Sequence, residues 1–315
     1  VKLKSLQLAQ LVDEAPEGDE WLHEQKFDGY RILASLDHGA ALLHSRRFND
    51  WTEQFPSVAE AVSHLRAKRA VVDGEVAVVM PDGRTSFQAL QNAFGRRDAN
   101  IVYFVFDLLE LDGEDVARLP LERRKEMLVK LLGNKPDGVI RYSDHVIGHG
   151  GEFFRLACKQ GLEGIISKRR DKPYVPGRGS SWQKTKCLLR QEFVIGGYTD
   201  PEGARTHVGA LLVGYHEQGM LKYAGKVGTG FSMKTLVELK KALTPLEMAK
   251  CPFGPEPSRS WTGPNRHWVA PRLVCEIAFS EWTNDGRLRH PSFQGIREDK
   301  PAKDIIRERA AHVNR

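Results

Sequence analysis

Two apolar, β-branched runs most constrain the fold of this chain. Residues Ala70–Val79 and Ile101–Leu109 are rich in Val, Ile and aromatic side chains, which suit a pleated, buried strand. The first runs into the turn residues Pro81, Asp82 and Gly83. A segment holding two such strands is built on a sheet, and its remaining elements have to cover that sheet. Leu33–Asp37 and Ala41–His44 read as a hairpin across His38 and Gly39. Three helices are expected around it. One begins near Pro56, because proline's fixed φ suits a first helical turn. A second begins near Pro120 and carries Leu121, Met127, Leu128, Leu131 and Leu132. A third covers Glu152–Gln160 and stops at Gly161, a C-terminal cap.

After about Leu189 the texture changes. Short strands are expected at Phe193–Tyr198, Gly209–Tyr215, Met220–Val227 and Leu273–Phe279, separated by turns such as Asp200–Gly203. One helix interrupts them, from a cap at Ser232 to Leu243. Short strands with a single helix suggest a small β-barrel of the OB type. With the boundary at residues 188–192, the chain reads as α+β in two domains, 1–189 and 190–315. Its 315 residues, 41% of them hydrophobic, suffice for two cores.

Cys158, Cys187, Cys251 and Cys275 form no C-x-x-C pair, which argues against a zinc ribbon. Reduced thiols in an intracellular compartment are expected. No run is long and apolar enough to span a membrane, and no signal peptide stands at the start. The chain opens on Val1 rather than Met, as a segment of a longer polypeptide would. A net charge of +6 leans toward anionic partners, nucleic acid first. Residues 168–190 sharpen that reading: Lys168, Arg169, Arg170, Lys172, Arg178, Lys184, Lys186 and Arg190 stand against one acid, Asp171, with Tyr174 and Trp182 interleaved. Such a run suits phosphates along a duplex. His145 and His149 are spaced i, i+4 but lack a third ligand, and His267 reads as packing or surface.

Six charged segments follow one another in the first domain. Lys26–Arg31 places a lysine two residues before Asp28, then Gly29 and Arg31, a combination that suits a lysine attacking a nucleotide phosphate. It is followed by Ser45–Arg47, Asp73–Glu75, Phe104–Asp107, Glu163–Lys168 and Lys184–Lys186, and a seventh segment, Arg297–Lys300, closes the second domain. In this order the set resembles the covalent nucleotidyltransferase superfamily of ATP-dependent DNA ligases, RNA ligases and mRNA capping enzymes. The stretch from His267 through Glu276–Trp282 to Leu288–Lys300 is similar to the ligase module of bacterial ligase D, an enzyme of non-homologous end joining. The resemblance covers nearly the whole chain.

The resemblance implies an ATP-dependent DNA ligase acting in three steps. Lys26 takes AMP from ATP, AMP passes to the 5′-phosphate of a nick, and the 3′-hydroxyl displaces AMP. Asp28 would assist at Lys26. Glu24 would meet the adenine amino group, and Phe106 would stack on adenine, against a competing role in core packing. Arg31 is expected on the ribose or phosphate, Arg46 at the pocket and the nick 5′-phosphate, and Gly29 where backbone approaches the nucleotide or a turn needs it. Glu75 and Glu163 are the implied metal-facing carboxylates, since oxygen ligands suit the hard cation of phosphoryl transfer; Glu75 also reaches the ribose. Lys184 and Lys186 share one strand face by period two, so both ammonium groups reach the same phosphate. Arg297, Asp299 and Lys300 would swing over the triphosphate and then away. Implied cofactors are ATP and Mg²⁺ (or Mn²⁺). Implied partners are nicked or broken duplex DNA, a Ku-type end-binding protein, and attached polymerase and nuclease modules. The expected protein is monomeric, bacterial, cytoplasmic and nucleoid-associated, with no membrane partner. Two alternatives stand beside it. An RNA ligase or GTP-using capping enzyme would differ in nucleotide and strand preference. A catalytically silent nucleic-acid-binding adaptor would not need Lys26, Asp28, Glu163 and Lys186 together.

Overall fold

The computed structural model describes residues 5–93, 100–133, 138–187, 189–201 and 207–309. Packing divides the chain into a first unit, Val1–Cys187, and a second, Leu188–Glu308.

The first unit begins with β1 (Gln7–Leu11), β2 (Trp21–Gln25), β3 (Tyr30–Asp37), β4 (Ala40–Ser45), α1 (Pro56–Ser63), β5 (Arg69–Val78) and α2 (Phe87–Gln91). It continues with β6 (Ile101–Leu111), β7 (Glu114–Asp115), α3 (Leu121–Leu132), β8 (Ile140–Tyr142), β9 (His145–Ile147), α4 (Gly150–Lys159), β10 (Gly164–Arg169) and β11 (Gly177–Lys186). The strands form two sheets. One has the order β4-β3-β5-β6-β7, antiparallel, with β8 added parallel to β6. The other has the order β1-β11-β10-β2-β9, antiparallel except for the β1–β11 pair.

Local chemistry explains most of these elements. β3 and β4 turn through His38 and Gly39 at φ 48° and 87°, the positive-φ pair of a type I′ hairpin. Pro56 opens α1, and Pro120 is the N-cap of α3. Gly161, at φ 71°, closes the turn after α4. The short α2, capped by the Ser86 side chain, has no counterpart in the sequence reading.

The six-stranded sheet packs against α1, α2 and α3 around Tyr30, Phe55, Val58, Phe87, Tyr103 and Leu128, each contributing roughly 1.5–3 kcal/mol by burial. A smaller cluster joins the two sheets. It takes Leu33, Phe106 and Leu109 from one sheet and Trp182 from the other, with Leu6 and Tyr174. The loop from Lys26 to Gly29 crosses from β2 in one sheet to β3 in the other.

The second unit contains β12 (Leu189–Thr199), β13 (Leu211–Glu217), β14 (Met220–Val227), α5 (Met233–Leu243), β15 (Glu247–Met248), the one-turn α6 (Arg259–Thr262), β16 (Arg266–Val269), β17 (Val274–Phe279), β18 (Glu281–Trp282), β19 (Leu288–Arg289) and β20 (Ser292–Ile296). This is the OB-fold domain, with one correction to the expected barrel: its sheet does not close among the described residues. The order is β14-β13-β12-β16-β15, with β17 pairing β12 and β20. The long β12 shares one edge between β17 and β16 and gives the other to β13. β14 ends at Val227, and the following chain meets β20 through a backbone hydrogen bond from Phe293 to Thr229 at 2.9 Å rather than through a ladder. Ser232 accepts from the Thr235 amide and caps α5. The turn expected at Asp200–Gly203 lies partly outside the described residues.

Cys158, near the end of α4, is bonded to Cys187, just after β11. This differs from the expectation of four reduced thiols. The absence of a C-x-x-C pair says nothing about cysteines that the fold brings together from 29 residues apart. Cys251 and Cys275 are free thiols.

Candidate nucleotide-transfer site

The site is built where the loop after β2 leaves one sheet for the other. The Lys26 amide donates to the Gly164 carbonyl at 2.9 Å, which docks the loop on the start of β10. Its Nζ lies 2.6 Å from the Glu163 carboxylate. The lysine side chain is 22% exposed and the glutamate 6%, so the lysine is partly exposed while its anion is largely shielded. Asp28 is held by the segment that leads into α2. Its amide donates to Thr85 Oγ1 at 2.9 Å, and its carboxylate accepts from the Phe87 amide at 3.2 Å.

Gly29 answers a packing need. A Cβ there would sit 2.1 Å from the Val76 carbonyl of β5. The close approach that the fold requires here is between strands.

Arg31 is held inside the first unit. It forms a two-pronged bond to Asp73 at 2.9 and 2.6 Å and donates to the Gln7 carbonyl at 2.7 Å. Its guanidinium stands 5.2 Å from the Phe106 ring centre and 5.4 Å from that of Trp182. Burial works against its charge, but the adjoining Asp73 carboxylate outweighs this and raises its pKa. Tyr174 completes the group by donating to Asp73 at 2.7 Å.

Glu24 and Lys168, two members of the predicted set, form one buried cluster. Glu24 is 2% exposed. Lys125 donates to its Oε1 at 2.7 Å, and Lys168 and Ser143 donate to its Oε2 at 2.9 and 3.0 Å. Burial alone would raise the Glu24 carboxyl, yet the Lys125 and Lys168 charges hold it below the usual carboxylate value. Burial also pushes Lys168 down to about 8, against the attraction of Glu24. The Lys168 ammonium rests 4.1 Å from the centre of the Phe106 ring. Phe106 itself is 9% exposed and meets Trp182 edge-on at 5.9 Å, so it packs in the core between the sheets. Phe27 and Phe104, both half-buried, stack at 3.9 Å.

Glu75 lies on β5, paired in register with Arg31 and Phe104. Lys184 and Lys186 lie two residues apart on β11, opposite Ile166 and Gly164 of β10. Arg46 is half-buried in the turn after β4, and Arg47 beside it is exposed. Among the described residues, no three His, Cys, Asp or Glu side chains gather as a metal site. Glu75 and Glu163 are carboxylates, the donor type that a hard cation takes one or two of, with its other oxygens found on phosphates and water.

Arg297, Asp299 and Lys300 belong to the second unit. Arg297 makes a two-pronged bond to Asp299, at 2.9 Å each, and a third to Glu276 at 2.9 Å; Lys300 bonds Glu192. The basic run 168–190 is dispersed by the fold. Lys168 is buried, Arg169 and Lys172 pair with Asp171, and Arg170 pairs with Glu122.

Sequence reasoning missed Lys125, Ser143 and Thr85. A signal for Lys125 was available: it stands one turn from Leu121 and three residues before Leu128, on the apolar stripe of α3.

Residues 5–186 match the family model for the ATP dependent DNA ligase domain, and residues 204–300 match that for the ATP dependent DNA ligase C terminal region. The multifunctional non-homologous end joining protein LigD of Pseudomonas aeruginosa is 42% identical over 309 residues, covering 97% of this chain and 36% of that protein. The multifunctional non-homologous end joining DNA repair protein LigD of Mycobacterium tuberculosis is 40% identical over 292 residues, covering 92% of this chain and 38% of that protein. This chain thus spans less than two-fifths of these relatives. The structure of mycobacterial DNA ligase D complexed with ATP and MES is 37% identical, with a TM-score of 0.72, covering 96% of this chain and 98% of that one. With both family models matched in order, and the nucleotidyltransferase and OB-fold units both present, the chain belongs to the ATP-dependent DNA ligase family.

Proposed function

We propose that the chain seals 5′-phosphate/3′-hydroxyl nicks in duplex DNA through an AMP carried on Lys26. The observation that carries the proposal is the Lys26–Glu163 pair, a partly exposed lysine whose amine is held 2.6 Å from a shielded carboxylate. An ammonium group has no lone pair and must lose a proton before it attacks. Glu163 is in hydrogen-bond reach to take that proton and pass it to water. The Lys26 amine then forms a bond to the α-phosphorus of ATP as the bond to the β-phosphate oxygen breaks and pyrophosphate leaves. The 5′-phosphate next displaces Lys26 from phosphorus, and the 3′-hydroxyl displaces AMP. Lys184 and Lys186 offset charge on the phosphates, and Arg46 meets the pocket beside them. A divalent cation at Glu75 and Glu163, Mg²⁺ or Mn²⁺, supplies further charge neutralisation when bound. In this reading Glu24 accepts from the adenine amino group, Phe106 borders the base, and Arg31 fixes the pocket wall rather than touching the ribose. Arg297, Asp299 and Lys300 are the second unit's contribution to the triphosphate chemistry.

The names of the LigD relatives support a role in end joining of broken DNA. That role brings a Ku-type partner, polymerase and nuclease modules on a longer polypeptide, and a monomer at the bacterial nucleoid in the cytoplasm. No described helix is long and apolar enough to cross a membrane.

The test is intact mass after incubation with ATP and Mg²⁺, followed by sealing of a labelled nicked duplex. The chain is expected to gain one AMP and to seal the nick, while Lys26→Ala does neither. An adduct that persists in Lys26→Ala would remove Lys26 as the nucleophile, and an adduct without sealing would remove the DNA step.

A further inference from the structure

Lys125 lies in none of the seven charged segments, yet it is 2% exposed and spends its charge on one carboxylate. It reaches from α3, which packs on the six-stranded sheet, to β2 of the other sheet. Its Nζ donates to Glu24 Oε1 at 2.7 Å and to the Ser143 carbonyl at 3.1 Å, and it stands 4.6 Å from the centre of the Tyr142 ring. A buried lysine with three such restraints has little freedom to move.

The consequence falls on Glu24. An ionised carboxylate only accepts hydrogen bonds and offers about four acceptor positions. Lys168 and Ser143 take two on Oε2, and Lys125 takes one on Oε1. Among the described residues, Oε1, the oxygen that Lys125 fixes, accepts one hydrogen bond where Oε2 accepts two. A group that binds there has to bring a donor. The exocyclic amine of adenine does; the 6-oxo group of guanine or hypoxanthine brings a second acceptor against a buried negative charge.

We infer that Lys125 is a specificity-determining positioning residue: by anchoring Glu24 Oε1 as a fixed, ionised acceptor, it makes the site prefer a 6-amino purine nucleotide over a 6-oxo one without itself touching the nucleotide. The inference rests on the proposal that Glu24 meets the base. Without the Lys125 charge, the carboxylate has lost its anchor on Oε1. It then turns, or takes up a proton and becomes a donor. Either change narrows the gap between the two classes of base.

The experiment compares lysyl-nucleotide formation from ATP and from ITP in the full chain, measured as kcat/KM for each. In Lys125→Met, the ATP:ITP ratio is expected to fall by at least roughly tenfold, chiefly through KM. Lys125→Arg, which keeps the charge, is expected to retain most of the ratio. Glu24→Gln is expected to lose it, and adding Lys125→Met to Glu24→Gln is expected to lower it no further. Lys125→Leu, neutral and unable to donate, serves if the Met variant does not fold, with the same fall expected. A merely structural lysine would slow both nucleotides by the same factor, and an unchanged ratio in both neutral variants overturns the inference. If the unsubstituted chain forms no adduct with either nucleotide, the nucleotidyl-transfer proposal itself fails. An adduct with an unchanged ratio sinks only the role of Lys125.

Discussion

Arg124 is the largest fully buried side chain among the described residues, and replacing it with methionine isolates what its charge does. Its Nε and Nη2 bond the two Asp107 oxygens at 2.7 and 2.8 Å, and its Nη1 bonds the Leu119 and Lys172 carbonyls at 2.6 and 3.2 Å. Neither member of the ion pair is exposed. In Arg124→Met the hydrocarbon volume is largely kept, but Asp107 loses the cation bonded to both its oxygens and keeps the Leu108 amide. Removing one partner of a buried pair costs about 3–5 kcal/mol, because the remaining charge has no water to turn to. With a urea dependence of about 2 kcal/mol per molar, the unfolding midpoint of the first unit is expected to fall by roughly 1.5–2.5 M. Pulsed hydrogen exchange read in β6 peptides separates this transition from that of the second unit. Asp107→Asn in the Arg124→Met background removes the stranded charge. The double variant is therefore expected to be more stable than the sum of the two single losses, by at least about 1 kcal/mol. A midpoint shift under about 0.5 M, or strict additivity, would refute the claim that the pair is coupled and desolvated.

Other perturbations follow from the same geometry. Burial lowers the His23 pKa from 6.5 to about 4. The unfolded chain then binds more protons between these values, so this contribution is intact above pH 6.5 and is lost as pH falls through 4. The loss is at most about 3 kcal/mol; His23→Gln is expected to flatten that part of the stability profile, and an unchanged slope would contradict it. Reducing the Cys158–Cys187 bond releases a loop of 29 residues' separation and is expected to cost about 3–4 kcal/mol, measured by urea unfolding with and without reductant; equal midpoints would show that the bond constrains little. Gly29→Ala places a Cβ against the Val76 carbonyl. It is expected to lose at least about 1–3 kcal/mol, seen as a lowered Tm, whereas a neutral substitution would mean the two strands part easily.

Much of this architecture can be read in local sequence. The β-branched runs around residues 70 and 101 become β5 and β6 and pair with each other. His38 and Gly39 form the hairpin turn, and Pro56, Pro120 and Ser232 begin helices where their chemistry allows. These outcomes depend on side-chain shape and on hydrogen bonds within a few residues, so the order of residues determines them. The candidate nucleophile and its surrounding motifs were likewise legible as types at spacings. Their partners were not. That Lys26 meets Glu163, that Glu24 is clamped by Lys125 and Lys168, and that Arg31 is spent on Asp73 depend on two sheets meeting across a small apolar cluster. The same holds for the bond between Cys158 and Cys187 and for the open seam beside β14. In each case the residues are far apart in the chain. A charge pair or a strand pairing gains its energy only after the chain between has been ordered and water excluded. The sequence by itself determined which groups are available for nucleotidyl transfer; the tertiary structure decided which are exposed, which neutralise one another, and which are held still.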